Sequence, residues 1–516
     1  MNNGAMRTCS HRPIILCFTL QKNIAKKNTV IASLELDEAR LESAFNKAEM
    51  LSKNILLSHQ FKLHKSYDAA ALYGTLYHDP PPSFARAARL AEFFWCHDTL
   101  NLVAFGHTRQ LECTSFDALG QQLTAWTDDC SDATSAAAIR VVGGLAFDPL
   151  NPPEDPLYWT HYGPGKFWIP TLMVHGASLH NDATLTVNYD LDPQFSLAHH
   201  RQHLQNLLNQ AQDWLIGSLT HDVSRETPQH NHVELVEPQR EQWGELIDRS
   251  AKHLKAENAL NKVVHARQIH LNFEQKQRPA PILKNLQKNY PTCTTFLIRP
   301  PSPAPFPADM PLPQRHIGAS PERLVTCRNN ALYIDALAGS APPTTSDEDF
   351  LKSEKDQQEH QIVIDSILAK LAPFATLTQG ETKVDKLKNV KHLRTKITGT
   401  PKPTTSLCQL AQTLHPTPAV CGQPHLLARD YLREYEEGIF LQRGWYSGVV
   451  GWIDLAQQST DLNVSLRCGL MSDKQVRLFV GAGIMPDSTA ELELEETLNK
   501  ANALIHTIIP PTQDAP

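Results

Sequence analysis

Apolar residues recur along this chain at two spacings, interleaved without a strict strand–helix alternation. Between about residues 30 and 250, runs such as LNLVAFGH and AAIRVVGGLAFD read as strands. Leu204, Leu207, Leu208, Ala211 and Leu215 in HHRQHLQNLLNQAQDWLIGSL instead follow helical spacing and predict a core-facing stripe. GASPERLVTCRNNALYIDALAGS, residues 318–340, reads as a β-hairpin. Near the end, YSGVVGWIDL, NVSLRCGLM and QVRLFVGAGI predict three strands of an antiparallel meander, turning at QQSTD and SDK, with a last helix starting after MPDST. The proline-rich RPPSPAPFPADMPLP and APPTTSDED read as surface loops between strands. No solenoid-like repeat is present. The mixture predicts an α+β fold: one large domain of antiparallel β-sheets packed with surrounding helices.

Charged residues break this pattern at informative places. Glu322 sits behind a proline at the start of an apolar strand, where an ionised carboxylate is costly unless something pairs with it. In SEKDQQEHQIVIDSILAKL, Glu359 stands one turn ahead of the stripe Val363, Ile367, Leu371 and on the same face, so it points inward. In the last helix Leu494, Leu498, Ala501 and Ile505 form the predicted core stripe, and Glu493, Glu496 and Lys500 share the neighbouring face. A charged helix face met alone is usually a solvated one. Inward carboxylates on two helices, without His or Cys ligands nearby in sequence, are, however, what a hard cation such as Mg²⁺ requires.

Composition narrows the function classes. The chain has 516 residues, 41% hydrophobic and 20% charged, with a formal net charge of −7. That balance offers no bulk attraction to nucleic acid or to an anionic membrane, so an anionic substrate must be captured by a local site. No apolar run approaches the roughly 20 residues of a membrane span. Ten cysteines without a C-x-x-C pair fit neither a zinc knuckle nor a disulfide framework, and a reducing cytoplasm is the expected location. Residues 1–30 read as a basic extension: the first 34 carry Arg7, Arg12, Lys22, Lys26 and Lys27 and no acid. GAGIMP and GPGK each lack a glycine of the phosphate-binding loops they partly match. His199, His200 and His203, like His230 and His232, read as surface histidines.

A series of ordered segments then resembles the chorismate-utilising enzymes, the family of isochorismate synthases, salicylate synthases and the large subunits of anthranilate and aminodeoxychorismate synthases. The segments are NKVVHAR (261–267), GASPERLV (318–325), ALAGS (336–340), SEKDQQEH (353–360), VKHLRTKITG (390–399), LHPTPAVCGQP (414–424), GWYSGVVGWID (444–454), VSLR (464–467), and VGAGI followed by ELEETLNK. The resemblance implies the fold of the anthranilate and isochorismate synthases, with residues 31–250 as the variable half of one domain and 251–510 as its catalytic half.

It also implies roles. Chorismate is a small dianion, and the acidic helices would hold Mg²⁺ against its ring carboxylate. Glu359 and Glu496 resemble the metal ligands, with Glu493 beside them. Lys500 resembles a partner of the ring carboxylate, and Arg467 the guanidinium fork for the enolpyruvyl carboxylate. Gly339, Ser340, Gly481 and Gly483 resemble backbone contacts close to substrate, and His392 and Tyr446 resemble walls. In the isochorismate-forming branch water adds at ring C2 and the C4 hydroxyl leaves. Lys262 resembles the base for that water, which calls for a desolvated amine or one near other cations. Glu322 resembles the acid, a carboxyl kept protonated by apolar surroundings.

Within the family, CGQPH stands where the ammonia-using enzymes carry Gly-Ala-Pro-Lys, so no amidotransferase partner is expected. HPTPAVCG resembles the isochorismate synthases, and the long region before Lys262 the menaquinone-pathway type. The alternatives are a salicylate synthase, which also eliminates pyruvate, and a silent homologue that binds chorismate without converting it. APPTTSDEDF departs from the family in being short and lacking an arginine.

Overall fold

The computed structural model describes residues 34–509 except 79–90, 98–99, 152–157, 160, 178, 180–182, 220, 224–232, 257–258, 303–313, 389, 438–440 and 455. The basic extension, His230, His232 and most of RPPSPAPFPADMPLP therefore lie outside the described residues.

Two antiparallel sheets of twelve and nine strands lie face to face. In the larger, the strands Glu92–His97, Thr294–Arg299, Arg315–Ser320, Cys468–Met471, Gln475–Ile484 and Lys262–Phe273 are neighbours in that order. The smaller runs from Ala375–Lys386 through Lys391–Pro401, Ala331–Ala341, Arg323–Arg328, Ser459–Val464 and Val449–Asp454 to Arg140–Leu145 and two further strands. Both sheets continue across residue 250: Glu92–His97 pairs with Thr294–Arg299, and Arg140–Leu145 pairs with Val449–Asp454.

Between the sheets lies an aromatic layer to which both contribute, including Phe93, Trp95, Phe296 and Phe479 from one and Trp168, Val450 and Trp452 from the other. Each such side chain contributes about 1.5–3 kcal/mol on burial. Helices cover the outer faces. Ala69–His78, Leu197–Ser218, Pro279–Asn289 and Ala490–Ile508 pack on the larger sheet, and Phe116–Asp128, Glu354–Leu371 and Leu407–Leu414 on the smaller. Their starts are fixed by local chemistry: Ser196, Ser353 and Ser406 each accept a backbone N–H of the first turn, and Pro279 opens its helix with the φ a helix needs. Among the described residues no helix is long and apolar enough to cross a membrane.

Several sequence expectations need correction. NVSLRCGLM is not one strand. Ser459–Val464 belongs to the smaller sheet and Cys468–Met471 to the larger, and Ser465–Arg467 crosses between them with Arg467 at a left-handed φ of 49°. The meander is thus divided between two sheets, and STD of the expected QQSTD turn is already strand. APPTTSDED leads from a strand into a short helix, Asp347–Lys352, capped by the Ser346 side chain. In the last helix Ala501 and Ile505 are buried as expected, but Leu494 and Leu498 are only half-buried, and the buried residues include Glu493, Thr497, Lys500, Leu504, Thr507 and Ile508. The helix turns its charged face further inward than its leucines suggested, and Thr497, between Glu493 and Lys500, accepts from the Arg267 guanidinium at 2.9 Å. His200 is buried, bonded to the Tyr189 hydroxyl and the Asp192 carbonyl, whereas His199 and His203 are exposed.

Candidate active site

The chain crosses between the sheets twice near one point, and each crossing delivers a functional side chain. Pro321 and Glu322 connect the strand Arg315–Ser320 of the larger sheet to Arg323–Arg328 of the smaller; Ser465–Arg467 makes the return. The two crossings are hydrogen-bonded to each other: Val464 N donates to Glu322 O at 3.0 Å, Ala319 N to Arg467 O at 3.0 Å, and Ser320 Oγ to Val464 O at 2.6 Å. A carboxylate behind a proline is therefore explained by position, since Glu322 stands where strand pairing changes sheet.

A cavity opens at this seam, lined by Glu322, Glu359, His392, Tyr446, Arg467 and Lys500 and by Gly339, Ser340, Gly481 and Gly483. Residues that sequence reasoning did not name also line it, among them Val264, Leu337, Ser447, and Ala419 and Val420 of the HPTPAVCG loop. In sequence that loop marks the family and its branch without pointing to a wall residue, and its signal is a largely apolar run bearing one hydroxyl, Thr417.

Lys262 begins the strand Lys262–Phe273, is fully buried, and donates from Nζ to Glu359 Oε1 at 2.7 Å. Val264 and Ala266 pair with Gly483 and Gly481 of the neighbouring strand. A Cβ on Gly483 would lie 2.9 Å from both Glu359 Oε1 and Lys262 Cε, and one on Gly481 would lie 3.0 Å from the Tyr446 hydroxyl. These glycines thus leave room for the ion pair and the tyrosine, beyond the backbone approach expected of them. The Tyr446 ring stacks on Phe479 with centroids 5.4 Å apart.

The opposite wall is a bulge. Pairing of Ala331–Ala341 with Lys391–Pro401 slips between Ala338 and Ser340, and Gly339, the extra residue, has φ 75°. Its carbonyl lies 2.9 Å from His392 Nδ1, and Arg467 Nη2 donates to His392 Nε2 at 2.7 Å. A guanidinium only donates, so Nε2 accepts and the ring hydrogen sits on Nδ1. Burial, with Arg467 and Lys500 close by, holds this imidazole well below its usual range and therefore neutral. Arg467 Nε is buried with no partner among the described residues, a donor free for an incoming anion.

Burial pushes the Glu322 carboxyl up to about 8; the charge of Asp335 adds to the rise, and the Thr417 hydroxyl, Arg467 and Lys262 oppose it. Glu322 is thus a neutral acid near pH 7. Glu359 goes the other way. Burial alone would raise it, but Lys262, Lys500 and Lys355 outweigh burial and keep it below the ordinary carboxylate range. Glu493 rises to about 7 through burial and the adjacent Glu496.

Each acid of the helix pair has its own lysine: Glu359 has Lys262, Glu496 has Lys500, and Glu493 Oε1 lies 3.9 Å from Lys355 Nζ. Among the described residues no three such groups converge on a single point. Glu493 Oε2 is nevertheless buried and unpartnered, and the donor set is oxygen throughout, which suits a hard divalent cation.

The chain matches the family model described as chorismate binding enzyme over residues 47–509. It is 30% identical over 386 residues to the isochorismate synthase MenF of Bacillus subtilis (strain 168), covering 72% of this chain and 75% of that protein. It is 26% identical over 476 residues to a salicylate biosynthesis isochorismate synthase of Pseudomonas aeruginosa, covering 90% and 92%. The solved structure of MenF, the menaquinone-specific isochorismate synthase from Escherichia coli, matches with a TM-score of 0.66 at 25% identity, over 91% of this chain and 100% of that one. Anthranilate synthase component I from Streptococcus pneumoniae TIGR4 shares the fold, with a TM-score of 0.58 at 18% identity over 79% of this chain and 92% of that one.

Proposed function

Since the chain belongs to the chorismate binding enzymes, we propose that it is an isochorismate synthase, an isomerase that converts chorismate to isochorismate. The observation that carries this reading is one cavity lined by Glu322, a carboxyl that burial keeps neutral near pH 7, by Arg467, whose Nε is unpartnered, and by Glu359, to which Lys262 donates from the larger sheet. The likeness to the MenF proteins supports a product that serves the menaquinone route.

In this reading Arg467 binds the enolpyruvyl carboxylate through its free donor, and Lys500 faces the ring carboxylate. Glu322 gives its proton to the C4 oxygen as that C–O bond breaks and water leaves. Lys262 takes a proton from the water whose oxygen bonds to C2, and the ring double bonds shift between, so one water enters and one leaves. Lys262 can serve as that base only when its Nζ is released from Glu359. Glu359, Glu493 and Glu496 would hold Mg²⁺, whose charge would neutralise the ring carboxylate and the acids around it.

Incubation of the purified protein with chorismate, with and without Mg²⁺ and then with ammonium, followed by chromatography, tests the reading. Isochorismate formed only with Mg²⁺ is expected. Salicylate with pyruvate would move the protein to the lyase branch, an aminated product would overturn the branch, and bound but unconverted chorismate would identify a silent homologue.

Gly483→Ala is expected to lower turnover about a hundredfold while the fold survives, because a new methyl displaces the Lys262–Glu359 pair and misplacement of about 1 Å costs roughly that much. Turnover and melting temperature measured together check this; near-normal turnover would show that the pair's position does not matter.

A further inference from the structure

Glu322 is the acid of the proposed reaction, yet a carboxyl has two oxygens and only one can present its proton to the substrate. Within the described residues, the hydrogen bond that reaches its carboxyl comes from Thr417, whose Oγ1 donates to Oε1 at 3.4 Å. Thr417 is buried and stands behind the cavity wall that Ala419 and Val420 form. Its place is fixed by the turn that follows it. The Thr417 carbonyl accepts Val420 N at 3.2 Å and Cys421 N at 3.0 Å, and the Val420 carbonyl accepts Arg443 Nη1 at 2.9 Å. Arg443 is itself buried against Glu436 and also donates to the carbonyl of Val264, on the strand that begins with Lys262. The loop carrying Thr417 is therefore tied to the strand that carries the proposed base.

We propose that Thr417 is the positioning residue of the acid: its hydroxyl occupies Oε1, so that Oε2 is the oxygen that carries the proton into the cavity. This rests on the isochorismate synthase reading. The contact is long for a hydroxyl hydrogen bond, as catalytic contacts often are before substrate fills a site. The same bond stabilises the ionised form and works against the burial that raises Glu322. The other charged groups around the carboxyl are Asp335 on Ala331–Ala341, Lys262 on the larger sheet, Arg467 on the second crossing, and Arg394, which donates to the Pro321 carbonyl at 2.8 Å.

The test compares wild type, Thr417→Val and Thr417→Ser by two readouts: the pH profile of kcat with chorismate, and an infrared titration of the protonated carboxyl band without substrate, with Glu322→Gln as the blank. Valine keeps the shape and deletes the hydroxyl. It is expected to lower kcat about tenfold with little change in KM, and to move both the alkaline limb and the infrared titration up by about one pH unit. Serine is expected to stay close to wild type in both. An unmoved infrared titration in Thr417→Val, or a serine variant as impaired as the valine one, would overturn the proposal. Should wild type convert no chorismate, the functional reading fails, and the infrared titration still decides whether Thr417 holds Glu322.

Discussion

Glu322→Gln is expected to reduce conversion of chorismate by about a thousandfold while chorismate still binds, because the amide fills the same space and has no acidic proton to deliver. The substitution carries a second signature. In the folded protein the carboxyl holds its proton up to about pH 8, against an ordinary value of 4.5. Its folded value is raised, so the folded state binds the proton more tightly. The associated stability is fully present below about pH 4.5 and is lost as pH rises towards 8. Glutamine does not titrate, so the variant should gain stability relative to wild type across that window and hold a constant advantage above it. Urea midpoints from pH 5 to 9, set beside turnover, check both halves. Wild-type turnover would sink the acid role, and a stability difference flat with pH would sink the neutral buried carboxyl.

Lys262→Ala is the second large effect. It removes the proposed base and should lower turnover by roughly 10³–10⁴. It also takes the 2.7 Å partner from Glu359, whose side chain is only 15% exposed. Breaking such a pair costs about 3 kcal/mol, because the remaining charge stays buried without compensation. Loss of stability is expected to be largest in chelator and smaller with Mg²⁺, if Glu359 holds the cation. Small primary amines can enter the space left by the side chain and are expected to restore part of the turnover. Turnover near wild type without added amine would remove Lys262 from the chemistry.

How far these sites were legible depended on whether local pattern or long-range pairing set them. Glu359 was readable as inward because Val363, Ile367 and Leu371 are all buried on the same face one to three turns on. Glu493 and Lys500 were placed on a flanking face, since leucines normally mark the buried stripe; here the packing against Arg267 and the cavity selected a different one. The division of NVSLRCGLM could not be seen locally. Val464 and Cys468 are both apolar and both buried in strands, and the sheet each joins is decided by partners at residues 449 and 316–318. Thr417 left no trace in periodicity, because its function comes from a contact to a residue 95 positions away.

The strands bearing the recognisable motifs are flanked by strands from residues that carry few of them. Glu92–His97 lies directly against Thr294–Arg299, which in turn pairs with the strand leading to Glu322, and Arg140–Leu145 borders Val449–Asp454. Backbone ladders are indifferent to most side chains but not to count, since a slip of one residue exchanges the two faces of a strand. These two strands are therefore constrained in length as well as in packing, since Arg140–Leu145 is buried throughout and Glu92–His97 over its first four residues. A single inserted or deleted residue within Glu92–His97 or Arg140–Leu145 would pass down the ladder and displace a carboxyl that neither strand touches.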